Sequence, residues 1–332
     1  MEIRELDVQD DALVRRYHEI VWRAEMEDGR PWNTFQSYEE LAIGLREPSP
    51  GQRADALGIF DGDEMVGGGI VWLSLEDNLD KAFVFPAVEP ARRGHGIGGE
   101  LLEGMVEHVR GLGRTKVMSG TSIRFEDRDD SPMDRFAAAH GFAPANLEVV
   151  RQLALPVADG LLAEIEAETT AHAEGYEVHS FVDDIPEELV ESYCWLVNQL
   201  TLDAPTGDLD FEEEAYTPEA FRHDVARDRK VGRSVLRSVA VKDGQAVAHS
   251  DLLLRPSGTR GVQWATLVHR EHRGHRLGAA VKAANLRRLQ ADRPDITEVV
   301  TQNAEVNEQM IGINARLGFE PVALVPEYLR RL

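Results

Sequence analysis

A glycine-rich turn that occurs twice is the feature of this sequence that most limits its fold. The first copy is Arg-Gly-His-Gly-Ile-Gly at residues 93–98, and the second is Arg-Gly-His-Arg-Leu-Gly at residues 273–278. Each copy follows an apolar segment predicted as a strand and precedes an amphipathic segment predicted as a helix. A chain of 332 residues that repeats this order is expected to contain two copies of one folding unit.

The composition of the two turns indicates a binding site for an anion. A turn with few side chains lets successive backbone N–H groups converge, and the following helix adds the positive end of its dipole. This combination suits a phosphate or pyrophosphate group. In the second turn Arg276 stands where the first has a glycine. Its guanidinium either adds a phosphate contact or marks a turn that has stopped binding.

The repeat extends beyond the turns and predicts an α/β fold with a mixed sheet in both halves. Met133 and Met310 each precede a glycine by eight residues, and a phenylalanine follows that glycine. Each half is expected to run strand, two helices, three strands, turn, helix, strand, helix and last strand. We expect an N-terminal domain at 1–156, a linker at 157–175 and a C-terminal domain at 176–332.

Charge and cysteine content narrow the possible partners and the compartment. The formal net charge of −23 argues against nucleic acid or an anionic membrane as a partner, and it slightly favours a cationic acceptor such as an amine. No apolar run approaches the roughly 20 residues that span a bilayer, and the N-terminus does not resemble a signal peptide. A single cysteine, Cys194, fits a reducing cytoplasm and is predicted to be a small buried apolar residue rather than a nucleophile.

Other ligand classes are not indicated. The sequence has neither the Cys and His spacing of a metal site nor the Gly-Lys-Ser/Thr motif of a nucleoside triphosphate site, so no metal is expected. A dinucleotide-binding fold is disfavoured, because the first turn follows three strands of antiparallel type rather than opening a βαβ unit. The acidic stretch 203–214 is interpreted either as a solvated loop or as a receiver for a cationic acceptor.

The repeated unit resembles the GCN5-related N-acetyltransferase (GNAT) family. The hallmark of that family is Gln/Arg-x-x-Gly-x-Gly/Ala after the fourth strand. Residues 93–98 satisfy it throughout, and residues 273–278 satisfy it except at Arg276. The chain is similar to tandem members of the family, including mycothiol synthase and related actinobacterial acetyltransferases. The asparagine-rich segment 301–319 resembles the helix on the acetyl-CoA side of that group.

The resemblance implies acetyl-CoA as the cofactor and a mechanism of direct attack. The pantetheine arm would enter between splayed fourth and fifth strands, the pyrophosphate would lie on the turn, and a neutral amine would attack the thioester. A backbone N–H of the fourth strand would stabilise the oxyanion. The implied cofactor-binding residues of the first half are Val88, Arg93, Gly94, His95, Gly96, Ile97, Gly98 and Gly99. Those of the second half are Val268, Arg273, Gly274, His275, Arg276, Leu277, Gly278, Asn303 and Asn307.

The sequence departs from the family at the proton donor. Many members have a tyrosine four residues before the glycine of the Gly-Phe pair, where this chain has Ala137 and Asn314. Tyr328 is the candidate substitute acid, with a packed aromatic as the alternative interpretation. Asp251 and Asp80 are the candidate general bases.

Several other residues keep two interpretations. His95 and His275 are either exposed turn residues or catalytic groups. Asn303 and Asn307 either bond the pantetheine amides or begin and cap the following helix.

The expected function is acetyl transfer from acetyl-CoA to the amine of a small molecule, by a monomer or homodimer. One alternative is that one or both domains are catalytically silent and act as an acyl-CoA sensor or scaffold. A narrower alternative is the acetylation of a cysteinyl amine, as in mycothiol synthase. The sequence does not identify the acceptor.

Overall fold

The chain forms two compact units in its computed structural model, which describes residues 1–26, 30, 32–33 and 35–332. Unit 1 comprises Met1–Leu147, Thr206–Asp210 and Ala323–Leu332, and unit 2 comprises Glu148–Pro205 and Phe211–Val322. The strands are β1 (Glu2–Glu5), β2 (Gln52–Asp61), β3 (Glu64–Ser74), β4 (Lys81–Val88), β5 (Lys116–Gly120), β6 (Ala143–Ala154), β7 (Glu177–Val182), β8 (Ser234–Lys242), β9 (Gln245–Leu254), β10 (Arg260–Val268), β11 (Glu298–Ala304) and β12 (Glu320–Arg331). The helices are α1 (Asp11–Met26), α2 (Tyr38–Arg46), α3 (Ile97–Gly111), α4 (Pro132–Ala139), α5 (Asp159–His172), α6 (Glu187–Asn198), α7 (Leu200–Asp203), α8 (Pro218–Lys230), α9 (Leu277–Asp292) and α10 (Glu308–Leu317).

Unit 1 is a six-stranded mixed sheet in the order β1-β2-β3-β4-β5-β12. Only the β4–β5 pair is parallel, and the other neighbours are antiparallel. Alternating strand residues form two cores, because successive side chains of a strand point to opposite faces. Leu57 and Ile59 pack with α3, whereas Ala56 and Phe60 pack with α1 and α2. Ser37 is the N-cap of α2, since its side chain accepts a hydrogen bond from the Glu40 N–H in a capping box.

Unit 2 repeats this arrangement in the order β7-β8-β9-β10-β11-β6. Its parallel pair is β10–β11, and its other neighbours are antiparallel. Helices α5 and α9 contribute to one core with Leu236 of β8, and α6 and α8 contribute to another with Val239. The predicted α/β fold class with two copies of one unit is therefore confirmed.

The sheet of each unit is completed by a strand from the other half of the sequence. In unit 1 the C-terminal strand β12 pairs with β5, from Glu327 opposite Gly120 to Arg331 opposite Lys116. In unit 2 the strand β6 pairs with β11. The repeated units are thus built by an exchange of their last strands, which the sequence analysis does not predict.

The segment that the sequence analysis assigns to a linker contains helix α5. Leu162 and Ile165 are fully buried in one core with Leu286 of α9. Glu166 and Arg287 add an ion pair of 2.6 Å on the exposed side. The segment is therefore part of the packed interior of unit 2. The limits of the two domains at residues 1–156 and 176–332 stay a prediction.

Candidate active site and cofactor site

The two glycine-rich turns have the same backbone conformation. Gly94 and Gly96 have φ angles of 79° and 81°, and Gly274 and Arg276 have φ angles of 86° and 60°. Helices α3 and α9 begin directly after these residues, and neither helix has a side-chain hydrogen bond at its N-cap among the described residues. The first N–H groups of both helices are thus left for an external acceptor, which is the arrangement that binds anions at helix N-termini.

Arg276 keeps the left-handed conformation although it carries a Cβ atom. A non-glycine residue is destabilised by roughly 1–2 kcal/mol in this region of φ and ψ. The second turn therefore retains the backbone of the first at a local energetic cost, and the substitution adds a guanidinium without changing the shape of the turn.

A glycine lets each helix start close to the strand before it. A Cβ atom added at Gly98 would lie 3.6 Å from Val88 Cγ2, and one added at Gly278 would lie 3.4 Å from Val268 Cγ2 and 3.1 Å from Ile313 Cδ1. The four predicted positions Val88, Gly98, Val268 and Gly278 are thus in close contact within their own units. The second site is the more tightly packed.

The parallel strands separate halfway along their length in both units. The β4–β5 pairing ends at Phe83 opposite Met118, although β4 continues to Val88. The β10–β11 pairing ends at Val262 opposite Val300, although β10 continues to Val268. Beyond these pairs the two parallel strands are no longer paired, and we call the space between them the strand gap.

A hydroxyl group marks the start of the strand gap in each unit. Ser119 Oγ donates to the Val84 carbonyl at 2.8 Å, and Thr301 Oγ1 donates to the Gln263 carbonyl at 3.2 Å. These contacts satisfy a carbonyl that has lost its strand partner. The two units therefore share the same hydroxyl-to-carbonyl contact at the start of the strand gap.

The backbone groups that face the strand gap differ between the units. In an antiparallel ladder, alternate residues direct both backbone groups to the partner strand or away from it. The bonds Glu89 N–H to Val66 O and His269 N–H to Val247 O fix the register. Pro86, which has no N–H, and Thr266 therefore hold equivalent gap-facing positions. The gap of unit 2 has a donor that the gap of unit 1 lacks.

The turn histidines bond to backbone carbonyls. His95 Nδ1 lies 2.8 Å from Arg93 O, and His275 Nδ1 lies 2.7 Å from His172 O. His95 is exposed and bonds within its own turn, whereas His275 is half-buried and bonds to the end of α5. Their cofactor-binding role stays a prediction.

The acidic stretch 203–214 contributes to ion pairs in both units. In unit 2, Asp203 lies 3.0 Å from Arg270 and 2.9 Å from Arg273, and its side chain is 8% exposed. In unit 1, Asp210 lies 3.5 Å from Lys116. The carboxylates at these two positions form ion pairs with cations of the protein itself, so they are not open to a cationic ligand.

The predicted asparagines of unit 2 have distinct roles. Asn307 accepts a hydrogen bond from the Met310 N–H and caps α10. Asn303 is 6% exposed, and its Oδ1 accepts hydrogen bonds from Asn314 Nδ2 at 3.0 Å and Arg151 Nε at 3.3 Å. Asn303 is thus the centre of a buried polar network at the end of β11.

Lys282 of α9 completes this network. Its ammonium donates to Asn314 Oδ1 at 2.6 Å and lies 5.2 Å from the centre of the Phe319 ring. Lys282 is 1% exposed, and burial lowers its pKa to about 7. Lys282 and Arg151 are not predicted as site residues from the sequence. The one feature that could have indicated Lys282 is that it is the only charged residue in the apolar run 277–283.

Asp251 lies in a second buried polar cluster, between α6 and the sheet of unit 2. Tyr193 donates to its carboxylate at 2.5 Å, and His249 Nδ1 lies 3.5 Å away. Burial alone raises the pKa of Asp251, but His249 and Arg237 outweigh burial and hold the pKa below its usual range. Neither ring nitrogen of His249 has a hydrogen-bond partner among the described residues. The role of Asp251 as a base stays a prediction.

The other proposed proton carriers are held in structural contacts. Tyr328 packs in the core of unit 1 and donates to Asp134 at 2.8 Å, and burial together with this contact raises its pKa. Asp80 bonds to Lys81 and Lys116, both at 2.9 Å. These are the contacts of a packed aromatic residue and of a paired carboxylate. The catalytic role of Tyr328 stays a prediction.

Cys194 is buried in α6. Burial raises its pKa to about 12, so its thiol is protonated at neutral pH.

The chain shares its fold with GCN5-related N-acetyltransferases. A tandem GNAT protein of the clavulanic acid biosynthesis pathway, solved without acetyl-CoA, superimposes with a TM-score of 0.80 at 27% identity, over 99% of this chain and 98% of that one. A GCN5-related N-acetyltransferase from Sphaerobacter thermophilus gives a TM-score of 0.60 at 18% identity, over 99% and 95% of the two chains. No protein-family profile and no curated protein sequence matches this chain.

Each unit of the chain is therefore a GNAT-like domain, and the chain is a tandem pair of them. Within the described part of the chain, none of the helices combines the length and apolar character needed to cross a membrane.

Proposed function

We propose that the protein is an acetyl-CoA-dependent N-acetyltransferase that acts on the amine of a small molecule. The single observation that carries this proposal is the pairing, in each unit, of a strand gap with an uncapped helix N-terminus. The gap offers backbone groups to the amides of a pantetheine arm. The helix N-terminus offers N–H groups to a pyrophosphate.

The turns and the strands would bind different parts of acetyl-CoA. The turns at 93–99 and 273–278 would hold the pyrophosphate, and the gap-facing groups of β4 and β10 would hold the arm. Acetyl-CoA would supply the thioester carbonyl that the acceptor amine attacks. The gap-facing N–H of Thr266 in unit 2 would donate to the oxygen that becomes negative during this attack.

Isothermal titration of CoA into the full-length chain tests the proposal. Gly96→Asp places a carboxylate where the first pyrophosphate would lie, and no heavy atom lies within 4 Å of the new Cβ. Arg276→Asp does the same in the second turn. We expect two binding sites in the wild type and one in each variant, because the carboxylate repels the phosphates. Aspartate tolerates the left-handed conformation better than most residues.

Gly62→Asp is the matched control. Gly62 has a φ of 61° and open space around its Cβ, but it lies in the β2–β3 turn. This variant is expected to keep both sites. Equal stoichiometry in Gly96→Asp, Arg276→Asp and Gly62→Asp would show that the turns do not bind CoA.

Thioester consumption with a panel of amines then identifies the acceptor. The panel contains polyamines, aminoglycosides, amino acids, peptide N-termini and a cysteinyl amine linked to a sugar. Turnover of the last compound would indicate the narrower activity of the mycothiol synthase type. Tight CoA binding with no turnover of any amine would favour the alternative of an acyl-CoA sensor or scaffold.

A further inference from the structure

Two buried cations of unit 2 meet at one pair of asparagines. Lys282 donates to Asn314, and Asn314 and Arg151 both donate to Asn303 Oδ1. Lys282 is 1% exposed, Asn314 is fully buried, and Arg151 is 9% exposed. The chain of contacts therefore joins an ammonium on α9 to the end of β11 through neutral amide groups.

No carboxylate of the described residues forms an ion pair with Lys282 or Arg151. Burial is the cause that lowers the pKa of Lys282 to about 7 and the pKa of Arg151 below its usual value. A buried cation without a counter-charge is costly, and groups of this kind are concentrated at functional sites. The network thus has a positive charge for which the part of the chain that the structure describes provides no anion.

The network lies at the strand gap. Asn303 is on β11, three residues beyond Val300, the last residue paired with β10. The asparagine pair links Lys282 to this end of β11 through hydrogen bonds. Under the proposed function, this gap holds the arm that carries the reacting sulfur, so the positive charge of Lys282 would act on the sulfur through the two asparagines.

The described residues of unit 1 form no such network. The turn arginines Arg93 and Arg273 align the two helices, and this alignment places Leu102 of α3 at the position of Lys282 in α9. Ala137 of α4 stands at the position of Asn314 in α10, four residues before the glycine that ends the helix. Leu102 and Ala137 are buried apolar residues. Unit 1 also lacks the gap-facing N–H, because that position is Pro86.

We propose that the buried positive charge of Lys282 stabilises the thiolate that departs from acyl-CoA in the strand gap of unit 2. This proposal rests on the proposed function. When the tetrahedral intermediate collapses, the C–S bond breaks and its electron pair stays on sulfur. Lys282 keeps its proton, and its positive charge, acting through Asn314 and Asn303, favours the negative sulfur. The proton that the acceptor nitrogen loses on forming the amide passes to water.

The pKa of the thiol in bound CoA tests this role without an acceptor. The Gly96→Asp background restricts CoA to unit 2, and the ultraviolet absorbance of the thiolate is titrated with protein in excess. Cys194 is the only cysteine, and its pKa is raised to about 12 by burial, so it adds little to the signal. We expect the bound thiol to have a lower pKa than free CoA, because a nearby cation favours the thiolate.

Lys282→Met in this background should raise the pKa of the bound thiol by about one unit or more. Asn314→Asp is an independent variant that keeps the lysine but pairs it with a carboxylate, and it should also raise the thiol pKa. The matched control is Leu102→Met in the Arg276→Asp background, where CoA occupies unit 1. This control should leave the thiol pKa unchanged.

An unchanged thiol pKa in Lys282→Met, with CoA still bound, would overturn the role of Lys282 and leave the proposed function intact. Loss of all CoA binding in Gly96→Asp would instead overturn the proposed function for unit 2, and the inference with it. Turnover provides the second readout once an acceptor is known. Arg276→Asp and Lys282→Met should each lose activity at least tenfold, whereas Leu102→Met should retain kcat; full activity in Arg276→Asp would assign the chemistry to unit 1 and overturn the inference.

Discussion

At the scale of single residues, the buried polar groups of unit 2 differ in how their charge is compensated. Asp251 has cationic and hydroxyl neighbours, which hold its pKa below the usual range despite burial. Lys282 has neutral neighbours, and its pKa falls to about 7. The first arrangement favours the charged form in the folded protein, and the second disfavours it.

Lys282 should therefore make the stability of the protein depend on pH. Its pKa is lower in the folded state than the ordinary value of about 10.4, so the unfolded chain binds more protons between these values. The free energy of unfolding should rise from about pH 7 to about pH 10, by up to ~1.4 kcal/mol per pH unit from this group. Urea unfolding of the wild type and Lys282→Met at several pH values measures the difference. A difference that does not change with pH would contradict the prediction.

The hydroxyl of Tyr193 should contribute measurably to stability. Tyr193→Phe removes the donor that contacts the buried Asp251 carboxylate at 2.5 Å. We expect a loss of about 1–3 kcal/mol in the free energy of unfolding. Tyr38→Phe is the matched control, because Tyr38 donates to exposed Asp11 at 2.8 Å and should cost less than about 0.5 kcal/mol. Equal losses in the two variants would contradict the prediction.

The sequence identifies the turn residues but not the buried polar network. Glycines at positive φ leave a clear pattern, and Gly94, Gly96 and Gly274 all have that conformation. Lys282 and Arg151 lie 131 residues apart and meet only through Asn303 and Asn314. No local spacing in the sequence predicts this contact, because the contact depends on the pairing of β6 with β11.

At the scale of elements, the two edges of strand β10 have different roles. One edge of β10 bonds to β9, while the other edge is free of β11 beyond Val262. A change on the free edge can alter the chemistry without breaking the sheet. A proline is tolerated where the N–H is not part of the ladder.

Thr266→Pro should therefore reduce turnover more than binding. It removes the gap-facing N–H of unit 2 and leaves the ladder with β9 in place. Loss of one oxyanion donor costs about 10²–10³ in kcat, and we expect a loss of this order. Thr266→Val is the control, since it removes the hydroxyl bonded to Ser250 but keeps the N–H. Steady-state kinetics and CoA titration measure the two effects, and equal kcat in both variants would exclude the N–H from the reaction.

The elements themselves were largely predictable, with one exception. Strands next to the turns alternate regularly, and Ser37 gives a clear cap. The segment 157–175 is acidic and rich in alanine, which suggested a linker, yet Leu162 and Ile165 of α5 are fully buried. A helix with few apolar residues can be buried when its neighbour, here α9, offers a wide apolar surface. That surface is a property of the tertiary structure and is not visible in the sequence of the segment itself.

At the scale of the whole molecule, the exchange of strands makes unit 1 depend on the end of the chain. A chain that stops at residue 322 lacks the part of β12 that pairs with β5, and it loses the ion pair of Arg330 with Glu103 at 2.8 Å. We expect faster amide hydrogen exchange in β4 and β5 and unchanged exchange in β8 and β9. Arg331→Ser keeps the strand and should resemble the wild type. Unchanged protection of β5 in the shortened chain would contradict the prediction.

The exchange was not predictable from the repeat. Strands β6 and β12 hold equivalent positions in their halves, each being the last strand in chain order. A pattern of period two specifies which face of a strand is buried but not which neighbour it joins. The choice is decided by contacts between distant residues, such as Asn146 with Glu327 and Arg151 with Asn303.

The exchanged strands also constrain how such a chain can change in evolution. A copy of a duplicated unit that loses its chemistry is usually free to be deleted. Here either half of the gene encodes the last strand of the other half's sheet, so deleting one half would leave the remaining unit with an open edge. A half that lost its chemistry would therefore be retained by selection for folding alone. Its binding site would then be available for a new ligand.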